Sequence, residues 1–294
     1  MISKIKVGIC IAYDWEMLKL SLPIVYNEVD TICLSLDIDR KTWAGNTFDF
    51  DSKSFYKYVN EIDTQNKIII YEDDFFIDTA STMKNEVYQR NKMAEKLGKG
   101  GWHIQIDVDE YFTEIKSFVN FLKKKHDFLK NKDINICLPI YTMFKKTNHG
   151  FFFVKGKPEW FSIATNNPSY SFGRRNGYFN LLFDSPIIHQ SWAREESEIL
   201  QKIKNWGHKD DFDTQSFFRK WKSLSVQNYL DWENFHPIEE GVWEKLILIK
   251  GDNIQDLIKD NKLLQKLKSY SKLEILLKNN KVFSKIMQLL RIKW

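Results

Sequence analysis

The stretch Trp102-His103-Ile104-Gln105-Ile106-Asp107-Val108-Asp109-Glu110 decides the predicted fold, because a strand-like apolar alternation ends there in three carboxylates. Side chains repeat every two residues along an extended chain, so Asp107 and Asp109 are expected on the same side of the backbone. Two such carboxylates can bind Mg²⁺ or Mn²⁺ and leave coordination positions open for phosphate oxygens. The alternative is an acidic strand end with solvated side chains, since an isolated Asp-x-Asp is a weak motif.

Upstream of this stretch, strand-like and helix-like segments alternate. We predict strands at 6–12, 31–36, 68–70 and 102–106, and helices at 15–26 and 82–97. Thr79 or Ser81 can cap the second helix, and Gly98 lies just past its end. This alternation predicts parallel pairing in a doubly wound α/β sheet, where ligands bind at the carboxyl ends of strands.

The pattern changes downstream of residue 112, although no linker composition marks a boundary there. We predict helices at 114–130, 191–205 and 213–229, and strands at 134–143, 150–155 and 178–188. These segments indicate a mixed α+β region that extends the first half of the chain.

Charge is distributed unevenly along the 294 residues, whose net charge is +5. Residues 262–294 hold nine basic side chains and one acid, Glu274, so this tail carries +8 and the rest of the chain −3. A mildly acidic body does not indicate a nucleic-acid partner. Leucines spaced among the tail lysines predict basic amphipathic helices, which either lie on an anionic membrane or pack against the domain or a second subunit.

The cysteines and the amino terminus bear on the compartment. Cys10, Cys33 and Cys137 lie in apolar runs without C-x-x-C spacing, which predicts buried free thiols in a reducing compartment. The apolar run at 7–12 is too short for a signal peptide or a membrane span. We therefore expect a cytoplasmic protein, and peripheral contact with the inner face of the cell membrane is one of the two alternatives for the tail.

The chain resembles the GT-A type glycosyltransferases, most closely bacterial enzymes of glycosyltransferase family 2. The stretch from Trp102 to Glu110 is similar to the family's W-x-x-x-x-D-x-D-E context, and Arg90-Asn91 is similar to the pair in the preceding helix. Asp37 matches a nucleotide-contacting acid after the second strand, and 187–194 is similar to a later family segment. Two departures are 13–16, where the family has an Asn-Glu pair, and the absence of a Glu-Asp pair in the second half.

The resemblance implies a GT-A-like Rossmann-type nucleotide-binding sheet with a mixed α+β acceptor region and a helical C-terminal tail. The corresponding divisions are 1–112 for the nucleotide-sugar-binding half, 113–250 for the acceptor-binding half and 251–294 for the tail. It also implies metal-dependent transfer of a sugar from a nucleotide-sugar donor, a UDP-sugar, to a bacterial surface glycan or a lipid-linked precursor. Mn²⁺ or Mg²⁺ would be the cofactor, and inversion at the anomeric carbon is favoured.

Specific residues take roles from this resemblance. The metal ligands would be Asp107, Asp109 and His189, although a lone histidine is also commonly buried and bonded to backbone. Arg194 and Lys202 would meet diphosphate oxygens, or else be solvated helix residues. The donor-binding set is Ala12, Tyr13, Asp37, Arg90, Asn91, Asp107, Glu110, Arg194 and Lys202.

Two roles stay open between alternatives. Glu110 would contact the donor sugar or only orient its loop. The base that accepts the acceptor's proton is Glu159 by first choice, beside Pro158 and Trp160, with Glu195 and Asp184 as alternatives, though each is also explained as an exposed loop acid. Aromatic side chains that could stack on sugars, with core packing as the alternative, are Trp160, Phe161, Tyr170 and Trp192. His208 is a further candidate of the same kind as His189.

Two other functions compete with glycosyl transfer. A nucleotidyltransferase acting on sugar phosphates also uses an acidic metal site, but it should have a Gly-rich phosphate loop after the first strand, and 12–16 has none. A non-catalytic glycan-binding protein would use the aromatic loops without turnover.

Overall fold

Four parallel strands form the amino-terminal half of the sheet. The computed structural model describes residues 3–129, 131–205, 211–259, 265–267, 269–280 and 283. The parallel strands are β1 (Ile5–Ile11), β2 (Thr31–Asp37), β3 (Ile68–Asp73) and β4 (Trp102–Ile106). They lie side by side in the order β4-β1-β2-β3. The four strands predicted in this part of the sequence are thereby confirmed.

Helices connect these strands, as parallel pairing requires. A 3₁₀ turn (Trp15–Met17) precedes α1 (Leu18–Tyr26), and α2 (Ser52–Ile62) and α3 (Thr82–Leu97) follow. The Ser81 hydroxyl accepts a hydrogen bond from the Lys84 N–H, and Gly98 ends α3 with a φ of 74°. Both ends of α3 are where the cap residues predict them.

The later elements are more varied. The strands are β5 (Glu110–Phe112), β6 (Ile134–Thr147), β7 (Gly150–Lys155), β8 (Glu159–Thr165), β9 (Phe179–Leu182), β10 (Ile187–His189) and β11 (Lys245–Ile249). The helices are α4 (Ile115–Leu129), α5 (Glu196–Asn205), α6 (Thr214–Ser223), a 3₁₀ turn (Tyr229–Asp231), α7 (Ile254–Lys259) and α8 (Lys272–Lys278).

Beyond β4 the sheet is mixed, which agrees with the mixed α+β region predicted downstream of residue 112. Strand β8 pairs antiparallel with both β4 and β6, and the order within the described chain is β11-β7-β6-β8-β4-β1-β2-β3. Strand β10 pairs with β5 and β6. The short turn after β6 returns β7 antiparallel along the end of β6, and β8 continues in the direction of β7 along the earlier part of β6. The α/β class holds, with a continuous sheet that spans residue 112.

Three predicted segments need correction. The predicted strand at 178–188 is two strands, because Pro186 has no N–H to offer a ladder and 183–186 leave the sheet. The predicted helix at 191–205 begins only at Glu196, since Ser191 has a φ of +44°. The predicted helix at 213–229 ends at Ser223, and Leu224 is extended.

Aromatic residues of the second half mostly fill the core. Trp192 and Phe144 belong to a cluster enclosed by β6, β7, α5 and α6, and Trp192 is 1% exposed. Tyr170 is also buried, while Trp160 and Phe161 are partly exposed. Core packing is therefore the role of Trp192 and Tyr170, and the sugar-stacking alternative is wrong for these two.

Part of the tail packs on the body of the protein. The Asn279 side chain exchanges two hydrogen bonds with the Leu182 backbone, at 2.7 Å and 2.9 Å, and Glu274 pairs with Lys157. Residues 281–282 and 284–294, which the amphipathic prediction also includes, lie outside the described residues, as does His208. No described helix is long and apolar enough to cross a membrane. All three cysteines are free thiols, and Cys33 and Cys137 are buried.

Two glycines beside β4 provide a test of this part of the fold. We expect Gly101→Ala to destabilise the protein much more than Gly98→Ala, although both have φ near +75°. A Cβ at Gly101 would lie 2.3 Å from the Lys4 carbonyl oxygen, whereas a Cβ at Gly98 meets nothing within 4 Å. Gly98→Ala should cost only the backbone term, about 1 kcal/mol. Urea denaturation measures both variants, and equal losses would contradict this packing of β4 against β1.

Candidate functional site

A cleft of about 930 Å³ opens at the carboxyl ends of β1, β2 and β4, the edge where ligands bind in such sheets. The loops after these strands line it together with α3, α5 and the turn after β10. Nine of the predicted site residues are in its wall: Ala12, Tyr13, Asp37, Arg90, Asp107, Asp109, His189, Arg194 and Lys202. Residues more than 90 positions apart in sequence thus meet in one place.

Asp107 and Asp109 reach the cleft from a tight turn. The Glu110 N–H donates to the Asp107 carbonyl at 3.1 Å, and the Asp107 N–H donates to Glu110 Oε2 at 3.1 Å. The extended continuation of β4 through Asp109 is therefore wrong, because the chain turns at 107–110 to begin β5. Both carboxylates still line the cleft, but through the turn and not through strand alternation.

Asp109 is the most heavily paired acid of the cleft. Its Oδ2 lies 2.6 Å from Arg194 Nη2, 3.4 Å from His189 Nε2 and 3.7 Å from Lys202 Nζ. The carboxylate is 4% exposed. Burial acts to raise its pKa, but the neighbouring His189, Arg194 and Lys202 side chains outweigh burial and hold the pKa well below its ordinary value. Asp109 is therefore ionised across the neutral range.

The turn after β10 brings these basic groups to Asp109. The Gln190 N–H donates to the Asp109 carbonyl at 2.9 Å, which fixes the turn against 107–110. The Ser191 carbonyl then accepts hydrogen bonds from Arg194 Nε and Lys202 Nζ, both at 3.1 Å. Arg194 also donates to Asp14 Oδ2 at 2.9 Å. The positive φ of Ser191 directs its carbonyl to both side chains and so serves the site.

Arg90 forms an ion pair with Asp107, as Arg194 does with Asp109. From α3, its guanidinium contacts Asp107 Oδ1 at 2.8 Å and Glu86 Oε1 at 3.0 Å. Burial acts to raise the pKa of Asp107, but the charges of Arg90 and Arg174 outweigh it and hold that pKa below its ordinary value. Since Asp107 is 34% exposed, one side of its carboxylate faces the open cleft.

Glu110 lies behind the cleft wall and not in it. The Arg174 guanidinium donates two hydrogen bonds to the Glu110 carboxylate, from Nη1 at 2.6 Å and from Nη2 at 2.7 Å, and Glu110 is 1% exposed. This placement matches the loop-orienting alternative for Glu110. Sequence reasoning did not identify Arg174, which is 64 residues away and lies in a loop without a motif.

Asp37 uses its carboxylate to shape a loop. Its oxygens accept hydrogen bonds from the N–H groups of Asp39, Lys41 and Phe75 at 2.9 to 3.1 Å. The loop that it holds carries Trp43 into the cleft, where the indole N–H donates to Gln89 Oε1. Thr42, Trp43, Gln89 and Asn205 are cleft residues that the sequence did not reveal, because no motif surrounds them.

Besides Glu110, four further predicted residues lie away from the cleft wall. Asn91 exchanges hydrogen bonds with the Tyr170 backbone at 2.8 and 2.9 Å. Glu195 is exposed and lies 3.5 Å from Lys146. Asp184 is half-buried, and burial raises its pKa. Glu159 accepts from the Trp243 indole N–H at 2.9 Å, beside a separate cavity of about 250 Å³.

The donor set around Asp109 fits a divalent cation that takes its remaining ligands from substrate and water. The 3.4 Å between His189 Nε2 and Asp109 Oδ2 is close to the roughly 3 Å between neighbouring ligands held about 2.1 Å from one ion. Among the described residues, no group of three His, Cys, Asp or Glu side chains is arranged to hold a metal ion. Mg²⁺ is commonly held this way, by one or two carboxylates plus phosphate oxygens.

The chain is only distantly similar to proteins of known structure. No protein-family model and no curated protein matches the sequence. A crystal structure of S. aureus TarS, a glycosyltransferase, is similar with a TM-score of 0.32 and 13% sequence identity. The similarity covers 47% of this chain, which spans about a third (36%) of the TarS chain. A likeness of this size carries no argument about function.

Proposed function

We propose that the protein is a glycosyltransferase that moves a sugar from a nucleotide-sugar donor, a UDP-sugar, to a bacterial surface glycan or a lipid-linked precursor. The observation that carries this proposal is the convergence of Asp107, Asp109, Arg194 and Lys202 in a cleft at the carboxyl ends of parallel strands. A diphosphate is recognised by basic side chains and by a divalent ion that carboxylates bind. This cleft offers both kinds of group together.

Two regions of the cleft would hold the nucleobase and the diphosphate of the donor. The loop held by Asp37 offers Trp43, whose indole ring suits a nucleobase, at the ends of β2 and α3. Asp109, Arg194 and Lys202 stand together elsewhere in the wall, where the diphosphate would lie. The donor would therefore extend from the β2 loop toward the turn after β10.

Leaving-group stabilisation follows from the charges of this site. As the bond to the anomeric carbon breaks, negative charge grows on the β-phosphate, and fixed cations stabilise it. The Arg194 guanidinium is oriented by Asp14 and the Ser191 carbonyl, so it is preorganised to donate to phosphate oxygens. Asp107, Asp109 and His189 would hold Mn²⁺ or Mg²⁺, and the ion would supply further positive charge to the leaving diphosphate.

Glu159 remains the proposed base for an inverting transfer. It is largely buried, and burial raises its pKa, which suits a group that must accept a proton near neutral pH. His189 is the strand partner of Thr142, and Thr142 lines the second cavity together with Glu159, so this cavity adjoins the His189 side of the cleft. The acceptor would enter through that side.

Calorimetry with UDP tests the donor site. We expect UDP to bind with Mn²⁺ present and at least tenfold more weakly with EDTA, because the ion joins the diphosphate to Asp109. UMP is the matched control, since it lacks the second phosphate, and its affinity should depend much less on Mn²⁺. The proposal fails if no nucleoside diphosphate binds, or if UDP and UMP bind alike.

A further inference from the structure

Two basic side chains already lie beside Asp109 Oδ2, the oxygen proposed to bind the metal ion. Arg194 Nη2 is 2.6 Å away and Lys202 Nζ is 3.7 Å away. A divalent ion that enters alone must approach this oxygen against two fixed positive charges, and the carboxylate is nearly closed to solvent. The free cleft is therefore a poor site for the cation by itself.

The two cations are held with unequal strength. Arg194 is bonded on three sides, to Asp14, Asp109 and the Ser191 carbonyl, and is 2% exposed. Lys202 donates a hydrogen bond to the Ser191 carbonyl at 3.1 Å and lies 3.7 Å from Asp109, a looser distance than that of Arg194. Its flexible stem allows the ammonium to move between partners. Lys202 is thus the group whose displacement costs least.

A diphosphate changes this balance because it offers oxygen acceptors and negative charge within reach of both side chains. When Lys202 turns to a phosphate oxygen, Asp109 loses one of its basic neighbours and gains attraction for a divalent ion. The same phosphate oxygens can complete the ion's coordination.

We infer that Lys202 opposes cation binding at Asp109 in the free protein and that its ammonium moves from Asp109 to the diphosphate when the donor binds. Cation and donor therefore bind with positive cooperativity. This inference rests on the proposed function. Lys202 acts here as a positioning residue through Asp109, and the coupling is reciprocal: the cation must strengthen nucleotide binding by the factor by which nucleotide strengthens cation binding.

The test is a titration of the full chain with Mn²⁺ alone, followed by the paramagnetic resonance signal of free Mn²⁺. We expect Lys202→Met to bind Mn²⁺ at least fivefold more tightly than the wild type without nucleotide, since a neutral side chain no longer opposes the ion. Lys204→Met is the matched control, because Lys204 is an exposed lysine two residues along α5. It should bind Mn²⁺ like the wild type.

A second titration with saturating UDP, corrected for the affinity of UDP itself for Mn²⁺, measures the coupling. The coupling should shrink at least fivefold in Lys202→Met. Lys202→Gln, with thermal melting of each variant, separates a local effect from unfolding. Equal Mn²⁺ affinity in folded wild type and both Lys202 variants would overturn the inference, even where UDP binds. Failure of UDP to bind any of the proteins would instead overturn the proposed function.

Discussion

Asp109→Asn is expected to lower kcat/KM for sugar transfer by about 100- to 1,000-fold, the scale seen when one preorganised charge-stabilising group is lost. Asparagine keeps the shape of aspartate but removes the charge that faces Arg194, His189 and Lys202. It would also weaken the binding of the proposed divalent cation. Donor turnover by the purified protein, followed by release of UDP, measures the effect.

Asp49→Asn is the control for this substitution, since Asp49 is an exposed acid outside the cleft wall. It should turn over donor like the wild type. Thermal melting must accompany the assay, because Asp109→Asn removes the counter-ion beside Lys202 and one of the two beside Arg194. A folded Asp109→Asn protein with wild-type turnover would rule out a role for this carboxylate in transfer.

Arg90→Met is expected to lower the free energy of unfolding by about 3–5 kcal/mol, as removal of one partner from a buried ion pair does. Arg90 is 2% exposed and neutralises both Glu86 and Asp107. Methionine fills much of the volume but removes the cation that pairs directly with both acids. Urea denaturation followed by circular dichroism measures the loss.

Lys92→Met, on the same helix, is the control for Arg90→Met. Lys92 is 36% exposed and pairs with Glu95 at the surface, so its loss should cost no more than about 0.5 kcal/mol. If the two variants lost equal stability, the ion pairs of Arg90 would not contribute to folding in the way proposed here.

Local signals explain which elements the sequence predicts well. Helix α3 begins at the Ser81 cap and ends at Gly98, and β4 has an unbroken alternation, so each is specified by neighbours in the chain. Strand β8 and its antiparallel insertion between β4 and β6 were missed. The pairing of β8 with β4 joins residues 60 to 62 positions apart, and no local periodicity records it.

In the site too, local sequence predicts some residues, while contacts with distant segments determine the others. The motif predicts Asp107 and Asp109 at the cleft because they follow a buried strand directly. The partners of these acids come from distant segments: Arg194 is 85 residues from Asp109, and Arg174 is 64 residues from Glu110. Asp37 shows a related difficulty, since the sequence cannot tell a ligand-binding carboxylate from one that accepts its own loop's N–H groups.

Anomalous diffraction from crystals grown with UDP and Mn²⁺ tests most directly whether a cation at Asp109 anchors the diphosphate. We expect one strong manganese peak in contact with Asp109 and His189, with β-phosphate oxygens of UDP among its other ligands. Manganese bound away from Asp109, with UDP in a different cavity, would contradict the proposed site.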